Sequence, residues 1–195
     1  MKKALRYVVF GIICVSLVIG YYYYLSHRFD DKTEEDSKTT VSEADSIVLK
    51  DFESDYPATP RAVVKWYNRI ITEYYAAEHS DKTIDQMITK QRALLDDELL
   101  KENPEQEFSL AVKADIEDYA ARNRRIVVSK LCSSNDVTYA TVNGYECAYV
   151  TSYYFTREGN DYIRTFQEYC LRKDSEGRWK ILTFRLVDGD VEDYE

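Results

Sequence analysis

Apolar positions follow three different rules along this chain. From Tyr7 to Leu25 they form an uncharged run behind Lys2, Lys3 and Arg6; from about residue 60 to 123 they recur every three or four positions; after Arg124 they alternate with polar ones up to Val187. At 1.5 Å of rise per residue the first run is about as long as the hydrocarbon core is thick, roughly 30 Å, so it predicts one transmembrane helix. The second regime predicts helices and the third strands.

Three helices are expected. Thr59-Pro60 pairs a capping hydroxyl with proline at the first helical position, and Val63, Val64, Trp66, Tyr67, Ile70, Ile71, Tyr74 and Tyr75 follow as one stripe to about Glu78. Thr83-Ile84-Asp85-Gln86 has capping-box spacing and opens a second stripe of Ile84, Met87, Ile88, Gln91, Leu94, Leu95, Leu99 and Leu100, ending near Lys101. Asn103-Pro104-Glu105-Gln106 repeats the device before Phe108, Ala111, Val112, Asp115, Ile116 and Tyr119, ending near Asn123.

Strands are expected near 125–132, 137–142, 145–156, 161–173 and 178–187, with Asn143-Gly144 as a two-residue hairpin turn and 157–160 and 174–177 as four-residue loops. Those loops would pair Tyr149 with Glu168, Tyr153 with Arg164, Cys147 with Cys170 and Arg185 with Phe166. One face then carries Ala148, Val150, Tyr154, Ile163, Tyr169, Leu171, Leu182, Phe184 and Leu186 and should meet the helices. The other carries Tyr149, Tyr153, Arg164, Glu168, Thr183 and Arg185. Such rings and charges suit either a solvated sheet surface or a protein interface. Helices first and an antiparallel meander afterwards make the expected class α+β, with helices packed on a curved sheet.

Charge sets the topology. Basic residues before the apolar run and Asp30, Asp31, Glu34, Glu35 and Asp36 after it place the amino terminus in the cytoplasm and residues 29–195 outside the cell membrane. Tyr21 to Tyr24 suit the outer interface, where rings with one polar tip are favoured. Cleavage after Val18-Ile19-Gly20 is the competing reading, and continuation of the run to Leu25 favours a retained anchor. The expected organisation is a cytoplasmic tail 1–6, transmembrane helix 7–25, acidic flexible stalk 26–56, extracytoplasmic domain 57–188 and acidic tail 189–195. Apolar residues in the stalk are too sparse to build a core, with Phe52 the first candidate to dock. Of the 26 lysines and arginines, Lys2, Lys3, Arg6 and Arg28 precede position 29, leaving 22 against all 35 acids, a formal −13. A domain so acidic lacks the basic footprint that nucleic acid requires.

Three amphipathic helices followed by a long meander ending in Gly177-Arg178-Trp179-Lys180-Ile181 resemble the nuclear transport factor 2-like superfamily, an α+β cone, over residues 57–188. With the anchor and stalk, the chain looks like small membrane-anchored envelope proteins of unknown function from Gram-positive anaerobes. The resemblance implies a pocket between helices and sheet and dimerisation through the sheet. It implies no reaction, since this fold serves isomerases, dehydratases, binding modules and scaffolds alike.

The residues offer little chemistry. No Cys-x-x-Cys, Gly-x-Ser-x-Gly, phosphate loop or Gly-x-Gly-x-x-Gly occurs, and His79 is the domain's one histidine, so neither a metal set nor a cofactor is expected. Isomerases of the cone pair an acid with a tyrosine; by residue type Asp115, Glu146, Glu168, Tyr149 and Tyr169 qualify, but none sits in a matching motif. Asp115 is expected to pair with Arg122 or Arg125. Cys147 and Cys170 could bridge in an oxidising compartment, or, with Cys132, be small buried hydrophobes, the favoured reading. Two functions follow: a single-pass, non-enzymatic interaction or scaffold module that meets a protein partner or a second copy through Tyr149, Tyr153, Arg164, Glu168 and Arg185, the assembly factors of type IV conjugation machines being one such case; or a domain binding a small apolar ligand, with catalysis as a rarer extension.

Overall fold

Thr59 and Pro60 start a helix as their order requires: the Thr59 hydroxyl accepts the Ala62 N–H at 3.1 Å and the helix runs Pro60–Tyr74. The computed structural model describes residues 41–189. The expected tail 1–6, membrane helix 7–25, first part of the stalk and acidic residues beyond Gly189 lie outside that range. Among the described residues no helix is long and apolar enough to cross a membrane.

The elements are α1 (Glu43–Leu49), α2 (Pro60–Tyr74), α3 (Asp81–Arg92), α4 (Asp97–Glu102), α5 (Glu105–Ala121), β1 (Arg124–Leu131), β2 (Thr138–Val142), β3 (Tyr145–Glu158), β4 (Asp161–Lys173) and β5 (Trp179–Val187). The class is α+β, as expected. In the curved antiparallel sheet β1, β3, β4 and β5 lie side by side, and β2 shares the β1 edge of the long strand β3. Bulges near Val127 and at Cys170/Leu171 interrupt the pairing of β1 with β3 and of β4 with β5, the device by which strands bend.

Four local expectations change. The segment read as flexible stalk to residue 56 folds from Glu43 onward. Ser42 caps α1, Ile47 is 0 % exposed, and Phe52, 6 % exposed, meets Trp66 edge-on at 5.5 Å. Sparse apolar residues suffice here because they dock on a core already built by α2 and α3. The second expected helix is two. Between them Leu94 and Asp96 leave the helix to bond Ile181 on the edge of β5, at 2.9 and 2.8 Å, and Asp96 then caps α4. The cap of α3 is Ser80 rather than Thr83. Asn103, expected to cap α5, instead donates back to the Leu99 carbonyl and closes α4.

The register also shifts. Asn143 and Gly144 both take positive φ and turn β2 into β3 as predicted. The next hairpin is tighter than expected: Glu158 faces Asp161 across Gly159-Asn160, so each β4 partner moves by two residues. Tyr149 faces Cys170 and Tyr153 faces Phe166. A shift of two preserves the faces. The bulge turns Ile181 inward in place of Leu182, and Ile181 joins Ala148, Val150, Tyr169 and Leu171, all 0 % exposed, under α2, α3 and α4. Ile163, Phe184 and Leu186 belong to the same inner face but remain exposed, because the helices cover only half of it.

Candidate functional site

α5 creates the opening. Its apolar residues are not confined to one face, Leu110 pointing outward, and none of its residues is buried, so it stands against the sheet through Phe108, Val112 and Ile116 only partly sunk. A solvent-connected cavity of about 610 Å³ is left between α2, α3, α5 and the inner sheet face. That is within the usual size of small-molecule sites, roughly 300–1,000 Å³.

Tyrosine dominates its wall. Tyr67, Tyr74 and Tyr75 come from the buried stripe of α2, Tyr119 from α5 and Tyr154 from β3. Tyr75 stacks on Tyr119 with ring centres 3.8 Å apart, and the Tyr75 hydroxyl donates to the Asp115 carboxylate. Asp115 and Tyr119, four residues apart on α5, share one helical face. Deeper in, Tyr74 donates to Gln91 at 2.9 Å. Tyr154 donates to the buried Asn68, whose amide gives a 2.7 Å bond to Ser152, and Tyr154 also meets the Tyr169 hydroxyl at 2.6 Å. These polar groups largely satisfy one another, which fixes the rings before anything binds.

Every phenol in this group is pushed above its ordinary range, chiefly by burial; for Tyr75 and Tyr119 the charge of Asp115 adds to the effect. The tyrosines are therefore neutral at physiological pH. Among the described residues Asp115 supplies the one formal charge on the wall, and no Lys, Arg or His lines it. The expected partners of Asp115 are engaged otherwise or elsewhere: Arg122 pairs with Asp118 at 2.9 Å, and Arg125 sits on β1 opposite Arg157.

Of the other acids considered for acid–base work, Glu146 pairs with Lys173 and Glu168 with Arg185, both away from the cavity. Tyr149 is on the outer sheet face, and Tyr169 lies behind the wall, against Tyr67, Tyr154, Gln167 and Phe184 that line the cavity. Asp115 alone of that set lines it. Among the described residues no three His, Cys, Asp or Glu side chains gather as metal ligands.

The face expected as a contact surface is real as a grouping but uneven. Tyr149, Glu168 and Arg185 border a shallow hollow, with Glu168 and Arg185 ion-paired at 2.7 Å, and Arg164 is exposed opposite Phe155. Tyr153, though on the same face, is 6 % exposed and lies against Phe166 at 5.2 Å. Cys147, Cys170 and Cys132 are free thiols. Cys147 sits opposite Arg172, diagonal to Cys170 rather than across from it, and burial raises the Cys170 thiol, with Cys147 adding to it.

No curated protein matches this sequence. Residues 1–184 match the model of a family described as a domain of unknown function (DUF6715), and the chain belongs to that family.

Proposed function

We propose that this protein is a membrane-anchored, extracytoplasmic binding domain whose cone-like cavity takes a small ligand with an apolar body. The cavity itself carries the reading: about 610 Å³ of open space, walled by rings whose polar tips are already bonded. A preorganised apolar wall adds affinity because little order is lost on binding. Assignment to the nuclear transport factor 2-like superfamily is supported by the helix-then-meander order, the curved sheet and the placement of the cavity between them. Anchoring through Tyr7 to Leu25 is supported by the uncharged run and its basic flank. Catalysis has weaker support, since Asp115 hydrogen-bonds a neutral tyrosine and, among the described residues, no second carboxylate, histidine or lysine lines the cavity with it.

Saturation-transfer NMR on the full chain with 2-phenylethanol tests the reading. Binding at about 1 mM is expected, the weak affinity suited to a fragment of this size. It should vanish in Ala111→Trp, which fills the cavity from the exposed side of α5. Equal signals from both proteins would refute it. A second reading, contact with a protein or a second copy through the outer sheet face, is supported by Tyr149, Arg164 and Arg185 standing on one rigid layer.

A further inference from the structure

We infer that the ligand of this cavity is an organic ammonium ion: an amine or quaternary ammonium with an apolar body, its charge seated between Asp115 and the tyrosine rings. The inference rests on the cavity being a ligand site. Among the described residues the wall holds one carboxylate among aromatic rings and no basic side chain. Ring faces carry negative potential and attract cations, most strongly where water is excluded.

The surroundings already show the rings in that role. Outside the cavity the Arg124 guanidinium lies over Tyr119 at 5.1 Å, and Arg92 lies over Phe108 at 5.3 Å. Neither lines the cavity. Arg124 is held by Glu158 at 2.6 Å and Arg92 donates to the Asn103 carbonyl at 2.9 Å, so neither reaches in to neutralise Asp115. Among the described residues Asp115 has no basic partner; its bond is to the Tyr75 hydroxyl, leaving acceptor capacity toward the cavity mouth.

Other ligand classes fit less well. Among the described residues an anion would meet Asp115 on the wall and no basic side chain there, Arg124 behind Tyr119 being already paired with Glu158. A polyol needs many free donors and acceptors, yet the hydroxyl protons of Tyr74, Tyr154 and Tyr75 and the Gln91 carbonyl oxygen are already in internal bonds. A neutral apolar body would strip water from Asp115 without replacing it, which is unfavourable for a carboxylate. An ammonium group both fills the space and supplies the missing charge.

Calorimetric titration of the full chain with two matched pairs tests this: choline against its carbon isostere 3,3-dimethylbutan-1-ol, and 2-phenylethylamine against 2-phenylethanol. Each cation should bind about tenfold or more tightly than its neutral partner, and Asp115→Asn should remove most of that preference, chiefly by weakening the two cations. Asn still accepts from Tyr75, so the fold should survive, as an unchanged melting temperature would confirm. Alcohols binding as well as amines would overturn the cation assignment and leave the cavity reading standing. A cation preference that persists undiminished in Asp115→Asn would overturn the role given to Asp115. Binding of none of the four probes would overturn both the assignment and the cavity reading beneath it.

Discussion

Ile47 and Phe52 decide whether α1 belongs to the folded unit or merely precedes it. Ile47 is fully buried and Phe52 nearly so, whereas Leu49 of the same helix is 72 % exposed, which provides an internal control. Truncating a buried isoleucine to alanine typically costs about 3 kcal/mol and a buried phenylalanine about 4, from lost transfer energy and the cavity left behind. The whole domain should hold only about 5–15 kcal/mol. With a urea dependence of about 2 kcal/mol per molar, Ile47→Ala should lower the unfolding midpoint by about 1.5 M and Phe52→Ala by about 2 M. Leu49→Ala should shift it by less than about 0.3 M, within the scatter of surface changes. Urea unfolding followed by tryptophan fluorescence is a suitable assay, since Trp66 touches Phe52 and Trp179 is buried. If Ile47→Ala behaves like Leu49→Ala, the segment is a spacer and its docking contributes nothing.

Three more outcomes follow from named contacts. Asn68→Ala removes the buried amide that joins Ser152 and Tyr154, so it should cost about 2 kcal/mol in thermal or urea unfolding, and a neutral result would mean the network is not formed. Burial alone would raise the Asp174 carboxyl, but the Arg178 and Glu176 N–H groups and the Arg178 guanidinium outweigh it and hold it below its usual 3.8; the stability it gives is present above that value and is lost as pH falls below it. Asp174→Asn should therefore flatten the acid limb of the stability profile below about pH 4. Arg164→Glu should weaken self-association measured by light scattering if copies meet through the outer face; Tyr153→Asp is unsuitable for that purpose, because a charge at a buried ring would damage the fold.

Much of the architecture was legible because local signals agreed with the fold. Thr59-Pro60, Asn143-Gly144 and the change of period at Arg124 each fixed a boundary within a residue or two. What failed was decided by tertiary contacts. Asp96-Asp97-Glu98 is a recognisable helix start, but Leu94 and Leu95 continued the preceding stripe, and only the bonds to Ile181 break the helix there. α1 was hidden by its acidic setting. Ile47, and Phe52 just after the helix, gain their value by docking on the core, Phe52 against Trp66 of α2, which composition cannot reveal.

The site was harder to read for a related reason. Tyr67, Tyr74 and Tyr75 fall on the core stripe of α2, and nothing local distinguishes a tyrosine that fills a core from one that walls a cavity. The usable signal lay on α5, where Asp115 and Tyr119 share a face and the apolar residues are too scattered for close packing. A helix that cannot bury itself leaves room beside it. Asp115 was identified by residue type, yet its partner, Tyr75, is 40 positions away in sequence.

The most direct measurement is a titration of the full chain, ¹³C-labelled at tyrosine, with 2-phenylethylamine while the ring signals are followed by NMR. Saturable shifts are expected at Tyr75 and Tyr119, with Tyr67 and Tyr74 moving in step and Tyr149 on the outer face unmoved. Shifts confined to Tyr149, or no saturable shift at any tyrosine, would contradict it.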